Sequence, residues 1–408
     1  MESRTMNAPV ASTSTHRALG LPHTMQAHTI RPERYGPPLK AFALERVTLP
    51  PVGDDECLVK VMAAGVNHNG IWAAQGHPVD VVALQGGGGQ QQGFHIAGSD
   101  ASGIVVAIGE HVTDVQIGDE VVMHCGWWDE DAVDDQIMDR SAKIWGYEVN
   151  FGAFAEYTRV KQTALLPKPK HLSWEEAASY MLCGATAYRM LYGFAPHTLK
   201  PGDVVLIWGG SGGMGTMATQ LVRAAGGIAI VVVSSEEKAA YCMENGAHGT
   251  INRRDYKHWG PLDDLQDSAL YHDWMMEARR FQKEIWRLVG ARKNPSIVIE
   301  HPGEDTFPTS NFVCAPGGMV VICAGTSGYR GTFDIRYQWM RQKRLQGSHF
   351  ANRKQCEAFN ALVEQKTIRP CLTRTFEFHE LAQAHQLMFE NRDPMGNMAI
   401  RIGAGNGA

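Results

Sequence analysis

The chain has 408 residues, 44% of them hydrophobic and 20% charged, with a formal net charge of −5. That length supports two domains with their own cores. The acidic balance excludes a nucleic-acid or anionic-membrane binder, which needs clustered Lys and Arg. No apolar run approaches the ~20 residues of a membrane span. The first 30 residues are rich in Ser, Thr, Ala and His and lack the apolar core of a signal peptide; residues 1–30 are expected to be a flexible arm on a cytoplasmic protein. Eight cysteines are scattered without a CxxC pair, so buried thiols are expected rather than a disulfide framework or a zinc site. Most of the seventeen histidines stand alone, the pattern of hydrogen-bonded structural residues.

The next part of the chain reads as β-rich with glycine punctuation. Strand-like runs cover Glu56 to Met62, Ser102 to Ile108 and Asp119 to His124. Short strands at regular spacing predict a small, partly open barrel. Two inserts interrupt it: the low-complexity GGGGQQQG from Gly86 to Gly93, expected as a surface loop, and the acidic stretch Trp127 to Asp139.

From Trp174 onward helix and strand patterns alternate, which predicts βαβ units and a parallel sheet. Val204 to Ala225 reads strand, Gly-Ser-Gly-Gly-Met-Gly turn, helix. Gly210, Gly212 and Gly215 satisfy GxGxxG: one for a tight turn, one for close approach of backbone to a pyrophosphate, one for helix–strand packing. With Ser211, Gly213 and Met214 they put unpaired N–H groups and a partial positive charge where phosphates bind. A second strand, Ile228 to Val233, ends in Ser234 and Ser235 with Lys238 one turn later. An NAD enzyme places Asp or Glu here for the ribose 2′-hydroxyl, whereas hydroxyls and a cation suit a 2′-phosphate, so NADPH is the expected cofactor. The alternative reading is a serine helix cap before the acidic first-turn residues Glu236 and Glu237. Arg253 and Arg254 are further candidates for the phosphate, at positions the sequence does not place.

Strands are also predicted at Ser296 to Glu300 and Gly318 to Ala324, then a helix (Lys354 to Glu364), a strand (Thr373 to Phe378), a helix (Glu380 to Glu390) and a closing strand (Asn397 to Ile402). The fold class is α/β, with a nucleotide-binding domain over 191–345 inserted in a catalytic domain built from 31–190 and 346–408.

This layout resembles the medium-chain dehydrogenase/reductase superfamily, which implies a GroES-like β-barrel catalytic domain and a Rossmann doubly wound sheet. The segments AAGVNHNGIWAAQG, HIAGSDASGIVVAIG, GDEVVMHCG, IWGYEVNFGAFAEYTRV, LLPKPKHLSWEEAASYMLCGATAYRML, VIEHPGEDTFPTS and KRLQGSHFAN are similar to the crotonyl-CoA carboxylase/reductase family, from roughly Ala41 to Ile402. The resemblance implies NADPH-dependent reduction of a 2-enoyl-CoA, crotonyl-CoA or a longer homologue, with capture of carbon dioxide to give an alkylmalonyl-CoA such as ethylmalonyl-CoA. A homotetramer is also implied. Where the superfamily's alcohol dehydrogenases carry zinc-binding Cys and His, this chain has Asn67 and Ser99, which bind zinc poorly, so no metal is expected.

Hydride addition to the β-carbon of a conjugated thioester leaves an enolate, and the protein decides which electrophile it meets. Capture of carbon dioxide requires that molecule held against the α-carbon with water excluded. The resemblance maps its pocket to Asn69 (or the neighbouring Asn67), Tyr147, Glu148 and His349. Some members have Phe where Tyr147 stands, and the extra hydroxyl leaves a non-carboxylating enoyl-CoA reductase as the alternative. Arg336, with Arg344 and Arg353, is the candidate for the CoA phosphates. The small residues Cys183, Gly184 and Ala185 either line an acyl pocket or serve close helix packing.

Overall fold

The structure, a computed structural model, describes residues 20–84, 92–129, 131–262, 268–392 and 395–403. Most of the Gly86 to Gly93 segment and the first 19 residues of the expected arm lie outside the described residues. The chain forms two compact units, one of residues 1–179, 374–393 and 398–408, the other of residues 180–373 and 394–397.

The first unit is built on antiparallel strands. Thr24–Ile30 pairs with Ala43–Thr48 and with His95–Ile96. The expected arm is therefore corrected at its C-terminal end: residues 24–30 form the middle strand of a three-stranded sheet, with residues 27–30 all buried. A longer sheet runs in the order Leu165–Pro167, Glu120–Met123, Ala101–Ile108, Glu56–Val66, Asn397–Arg401, Leu372–Glu377, with Tyr157–Lys161 also on Glu56–Val66. Glu56–Val66 is the central strand, and ten of its eleven residues are buried. Bulges at Leu58/Val59 and Val61/Ala63 bend it against Ala101–Ile108, the device that curls an antiparallel sheet. Gly103 belongs to that contact, because a Cβ there would lie 2.4 Å from the Lys60 carbonyl oxygen.

The second unit is a parallel sheet in the order Gly249–Asn252, Ile228–Val233, Val204–Ile207, Ile297–Glu300, Met319–Ile322, Arg344–Gly347. Numbered along the chain this is 3-2-1-4-5-6, the doubly wound order of dinucleotide-binding sheets. The strands at its centre are apolar except for Glu300 at the end of Ile297–Glu300, as parallel strands covered on both faces require. Val204, Leu206, Ile230, Val232, Val298 and Val320 form one core with Trp208 and with Met275, Ala278, Phe281 and Ile285. Those last four share one face of the 22-residue helix Ser268–Val289. Its other face carries the ion pairs Arg280–Glu277 and Arg287–Glu284.

The boundary between units departs from the expected one. Helix Met181–Tyr192 belongs to the nucleotide-binding unit: it packs on helix Gly213–Ala224 and also on helix Arg353–Glu364, where a Cβ on Gly184 would sit 2.0 Å from the Phe359 ring. Gly184 thus serves helix packing, the second of its two expected uses. Residues 346–373 belong to this unit as well, so His349 lies in the nucleotide-binding unit rather than in the catalytic domain.

Candidate active site

The glycine turn shows its logic atom by atom. Gly209, which was not counted in the motif, has the positive φ of +56° that starts the turn. At Gly210 a Cβ would lie 1.7 Å from Val231 Cγ1, and at Gly215 one would lie 2.6 Å from the Gly209 carbonyl oxygen and Gly210 Cα. At Gly212 a Cβ would meet only the Gly209 oxygen, at 3.6 Å. Gly210 and Gly215 are glycine because protein crowds them, whereas Gly212 leaves bare backbone on an open side. Gly212 caps helix Gly213–Ala224 without a side-chain acceptor, so the amides of Gly213, Met214 and Gly215 are the orphan donors of a helix start. The turn fits a pyrophosphate. The chain's return past Gly396, whose N–H donates to the Ser211 carbonyl at 2.8 Å, braces it from a direction invisible in the motif.

At the next strand the cap reading holds for one residue: Ser235 Oγ accepts the Lys238 amide at 3.2 Å. Ser234 and Lys238 are half-buried and Arg253 is exposed. Val233 pairs in register with Asn252, so Ser234 and Arg253 leave adjacent parallel strands side by side. The sheet thereby brings a distant arginine to the serine pair, which the sequence left unplaced.

In the first unit, Asn67 is the N-cap position of helix His68–Gln75, and Asn69 stands in its first turn. The Asn69 amide Nδ2 donates to Ser99 Oγ at 2.8 Å, and Ser99 is buried. Gly70 lets this turn rest on His385, whose Nε2 would be 2.5 Å from a Cβ. The WGYE turn closes on the same place. Gly146 has φ +72°, and a Cβ on it would fall 2.0 Å from the Gly98 carbonyl oxygen. Trp145 is its anchor, donating its indole N–H to the carbonyls of Phe151 at 3.3 Å and Arg159 at 3.1 Å. Glu148 is half-buried and its Oε2 accepts the Ile144 amide at 2.9 Å. Tyr147 is buried. His95 is buried and hydrogen-bonded to the Gly146 backbone, and burial pulls its pKa down to about 4, so it is neutral. Asn69, Ser99 and the WGYE turn are therefore assembled within one unit. Ser99 is the residue that motif reasoning noted only as a missing zinc ligand.

In the second unit, the GSHFAN segment is anchored on both sides of His349. Ser348 is buried and its amide donates to the Ile322 carbonyl at 2.8 Å. Phe350 is buried with φ +52°, and Asn352 closes a capping box on helix Arg353–Glu364. His349, between them, is exposed. The three arginines all have protein partners. Arg336 forms a two-pronged pair with Asp334 (2.9 and 2.7 Å). Arg344 donates to the carbonyls of Phe194 and Ala195, and Arg353 pairs with Glu357. Of these, the Arg336 side chain is the most open, at 57% exposure. Among the described residues no three His, Cys, Asp or Glu gather as a metal-holding group.

Two family models match: the alcohol dehydrogenase GroES-like domain over residues 53–170 and the zinc-binding dehydrogenase model over residues 213–365. The chain is 50% identical to the crotonyl-CoA carboxylase/reductase of Cereibacter sphaeroides, over 94% of this chain and 89% of the relative. It is 40% identical to the crotonyl-CoA reductase of Streptomyces collinus, over 92% and 87%. Among solved structures, crotonyl-CoA carboxylase/reductase AntE in complex with NADP superposes with a TM-score of 0.91 at 49% identity, over 98% of both chains. The 2-octenoyl-CoA carboxylase reductase CinF with NADP and 2-octenoyl-CoA gives 0.89 at 36% identity, over 97% and 92%. On the sheet order, the glycine turn and this likeness along nearly its whole length, the chain belongs to the crotonyl-CoA carboxylase/reductase family of the medium-chain dehydrogenases/reductases.

Proposed function

We propose that the protein carries out NADPH-dependent reductive carboxylation of a 2-enoyl-CoA, crotonyl-CoA or a longer homologue, to an alkylmalonyl-CoA. NADPH supplies the hydride that the β-carbon of the conjugated thioester accepts. The chain's own residues hold, orient and exclude. The 209–215 backbone and the helix start behind it cradle the pyrophosphate. Ser234, Ser235, Lys238 and Arg253 take the 2′-phosphate, with the hydroxyls donating and the two cations balancing charge.

The observation that carries the carboxylation reading is the Asn69–Ser99 bond beside the WGYE turn. One amide hydrogen of Asn69 is spent on Ser99, which aims the other at a carbon dioxide oxygen. Tyr147 supplies the aromatic wall and Glu148 orders a water beside it, while His349 keeps the carbon dioxide role that its family motif implies. The Asn69 amide is a neutral donor, which suits an uncharged, quadrupolar molecule, and it is no acid that would quench the α-carbon enolate. Arg336 is our candidate for a CoA phosphate. Its Ala variant should raise KM for the enoyl-CoA and leave that for NADPH unchanged.

Mass spectrometry of the product from crotonyl-CoA and NADPH, with labelled bicarbonate and carbonic anhydrase, tests the reading. Labelled ethylmalonyl-CoA is the expected outcome. Butyryl-CoA alone at saturating carbon dioxide would make the protein a non-carboxylating reductase and point to the Tyr147 hydroxyl, buried against the same turn, as the proton donor. A cytoplasmic homotetramer completes the proposal. The outermost strand Arg344–Gly347 and the exposed Ile335, Trp339 and Met340 just before it support assembly through this sheet edge.

A further inference from the structure

Glu300 is the last residue of strand Ile297–Glu300 and is wholly buried. A carboxyl group at that depth is costly unless donors surround it, and three do. Its Oε1 accepts the Gly303 amide at 3.1 Å and the Thr306 hydroxyl at 2.8 Å, and its Oε2 accepts the Ser310 hydroxyl. The Ser310 oxygen in turn accepts the indole N–H of Trp208 at 2.7 Å. A hydroxyl has one proton, so Trp208 needs the oxygen lone pair and Glu300 receives the hydrogen. With Glu300 ionised, the direction of the relay is fixed.

Trp208 immediately precedes the glycine turn. Its carbonyl is hydrogen-bonded by His301 Nε2 at 3.0 Å, and a Cβ on Gly209 would fall 2.4 Å from that same nitrogen. Adjacent residues thus grip Trp208 twice, Glu300 by the indole through Ser310 and His301 by the main chain.

We propose that Glu300 is a positioning residue for the dinucleotide. Through Ser310 and Trp208 it sets the entry angle of the 209–215 turn. Through Gly303 and Thr306 it holds the 301–306 loop at the carboxyl ends of the strands, where ligands bind in sheets of this order. The inference rests on the reading that the turn carries NADPH. An acceptor-only group is required: a Gln at this place would turn one of its own donors on three incoming donors. Burial holds the Glu300 carboxyl up at about 7 against the pull of those donors. The neighbouring titratable groups are His301 and the Cys323 thiol, itself pushed up to about 12 by burial. The ionised form, which receives all three bonds, gains as pH rises through neutrality.

The test is titration of NADPH against the full-length wild type, Glu300→Gln and Ser310→Ala by nucleotide fluorescence at pH 6 to 8, with enoyl-CoA kinetics at saturating NADPH. Both variants should weaken NADPH about tenfold while KM for the enoyl-CoA stays within about twofold. The ratio of wild-type to E300Q affinity should widen with pH. Wild-type NADPH affinity in both variants, or equal losses for NADPH and enoyl-CoA, would overturn the proposal. If E300Q fails to fold, S310A decides alone, since it keeps two of the carboxyl's donors. Failure of the wild type to bind NADPH would instead sink the cofactor reading on which the inference stands.

Discussion

The turn at 208–215 and the WGYE turn at 144–152 solve the same problem with different materials. The first is closed by absence: hydrogen side chains at Gly210 and Gly215 let Val231 and the turn's own backbone press in. The second has one crowded glycine of its own, Gly146, and is closed mainly by polar side chains reaching far along the chain, with Trp145 on the Arg159 carbonyl and Asn150 on Ile96 and Phe94. A turn built from glycines is broken by adding one carbon. A turn built from side-chain anchors is loosened one hydrogen bond at a time.

The largest effect should come from the crowded glycine. Gly210→Ala puts a methyl 1.7 Å from Val231 Cγ1 and should cost about 3 kcal/mol in stability, with loss of NADPH binding. Gly212→Ala, with 3.6 Å to the nearest atom, should melt like the wild type and lose about tenfold in NADPH affinity. Thermal melting and NADPH titration on this pair break the comparison if both variants melt alike.

Acid and base should act on the two regions in opposite senses. His95, behind the WGYE turn, has a folded pKa of about 4 against 6.5 unfolded. Its contribution is complete above pH 6.5 and falls as pH drops toward 4, to about 3 kcal/mol in the limit. Glu300, behind the glycine turn, has a folded pKa of about 7 against 4.5. It contributes fully below pH 4.5 and loses as pH rises to 7, by a similar order. Denaturant midpoints from pH 4.5 to 8 should show a shallower acid limb for His95→Gln and a shallower neutral limb for Glu300→Gln. Unchanged limbs would mean that other groups set the profile.

Trp145→Phe removes the N–H shared by the Phe151 and Arg159 carbonyls and should cost about 1–2 kcal/mol. It should lower the carboxylated share of product and leave NADPH affinity intact. Loss of NADPH binding here would contradict the separate construction of the two turns. The smallest effect is expected for Ser99→Ala, at most about 1 kcal/mol of stability, with product moving toward the saturated acyl-CoA as Asn69 swings free. A constant product ratio in Ser99→Ala and Asn69→Ala would remove both from the carbon dioxide contacts.

Much of this molecule was legible before the structure. The strand Ile228–Val233 begins and ends where the β-branched run does, because a fully buried parallel strand leaves a continuous apolar signature. GxGxxG marked the glycine turn between strand Val204–Ile207 and helix Gly213–Ala224. Other features carried no local signal. Helix Ser268–Val289 was not foreseen, since its buried positions 275, 278, 281 and 285 are spread among charges. Arg253 gained its place only from the pairing of Val233 with Asn252. Thr24–Ile30, expected in a loose arm, is a strand because Ala43–Thr48 lies beside it.

The sequence by itself determined the local chemistry: which residues bend the chain, which strands are buried, and which side chains can cradle phosphates or offer neutral donors. Only the tertiary structure decided which of several glycines is crowded by protein and which is open, that Ser99 holds Asn69, that His349 travels with the nucleotide-binding unit, and that Glu300 stands behind Trp208. The reason is physical. Propensity and periodicity act over a few residues, whereas a hydrogen bond between positions 69 and 99, or 208 and 310, exists only after the chain has folded those segments together.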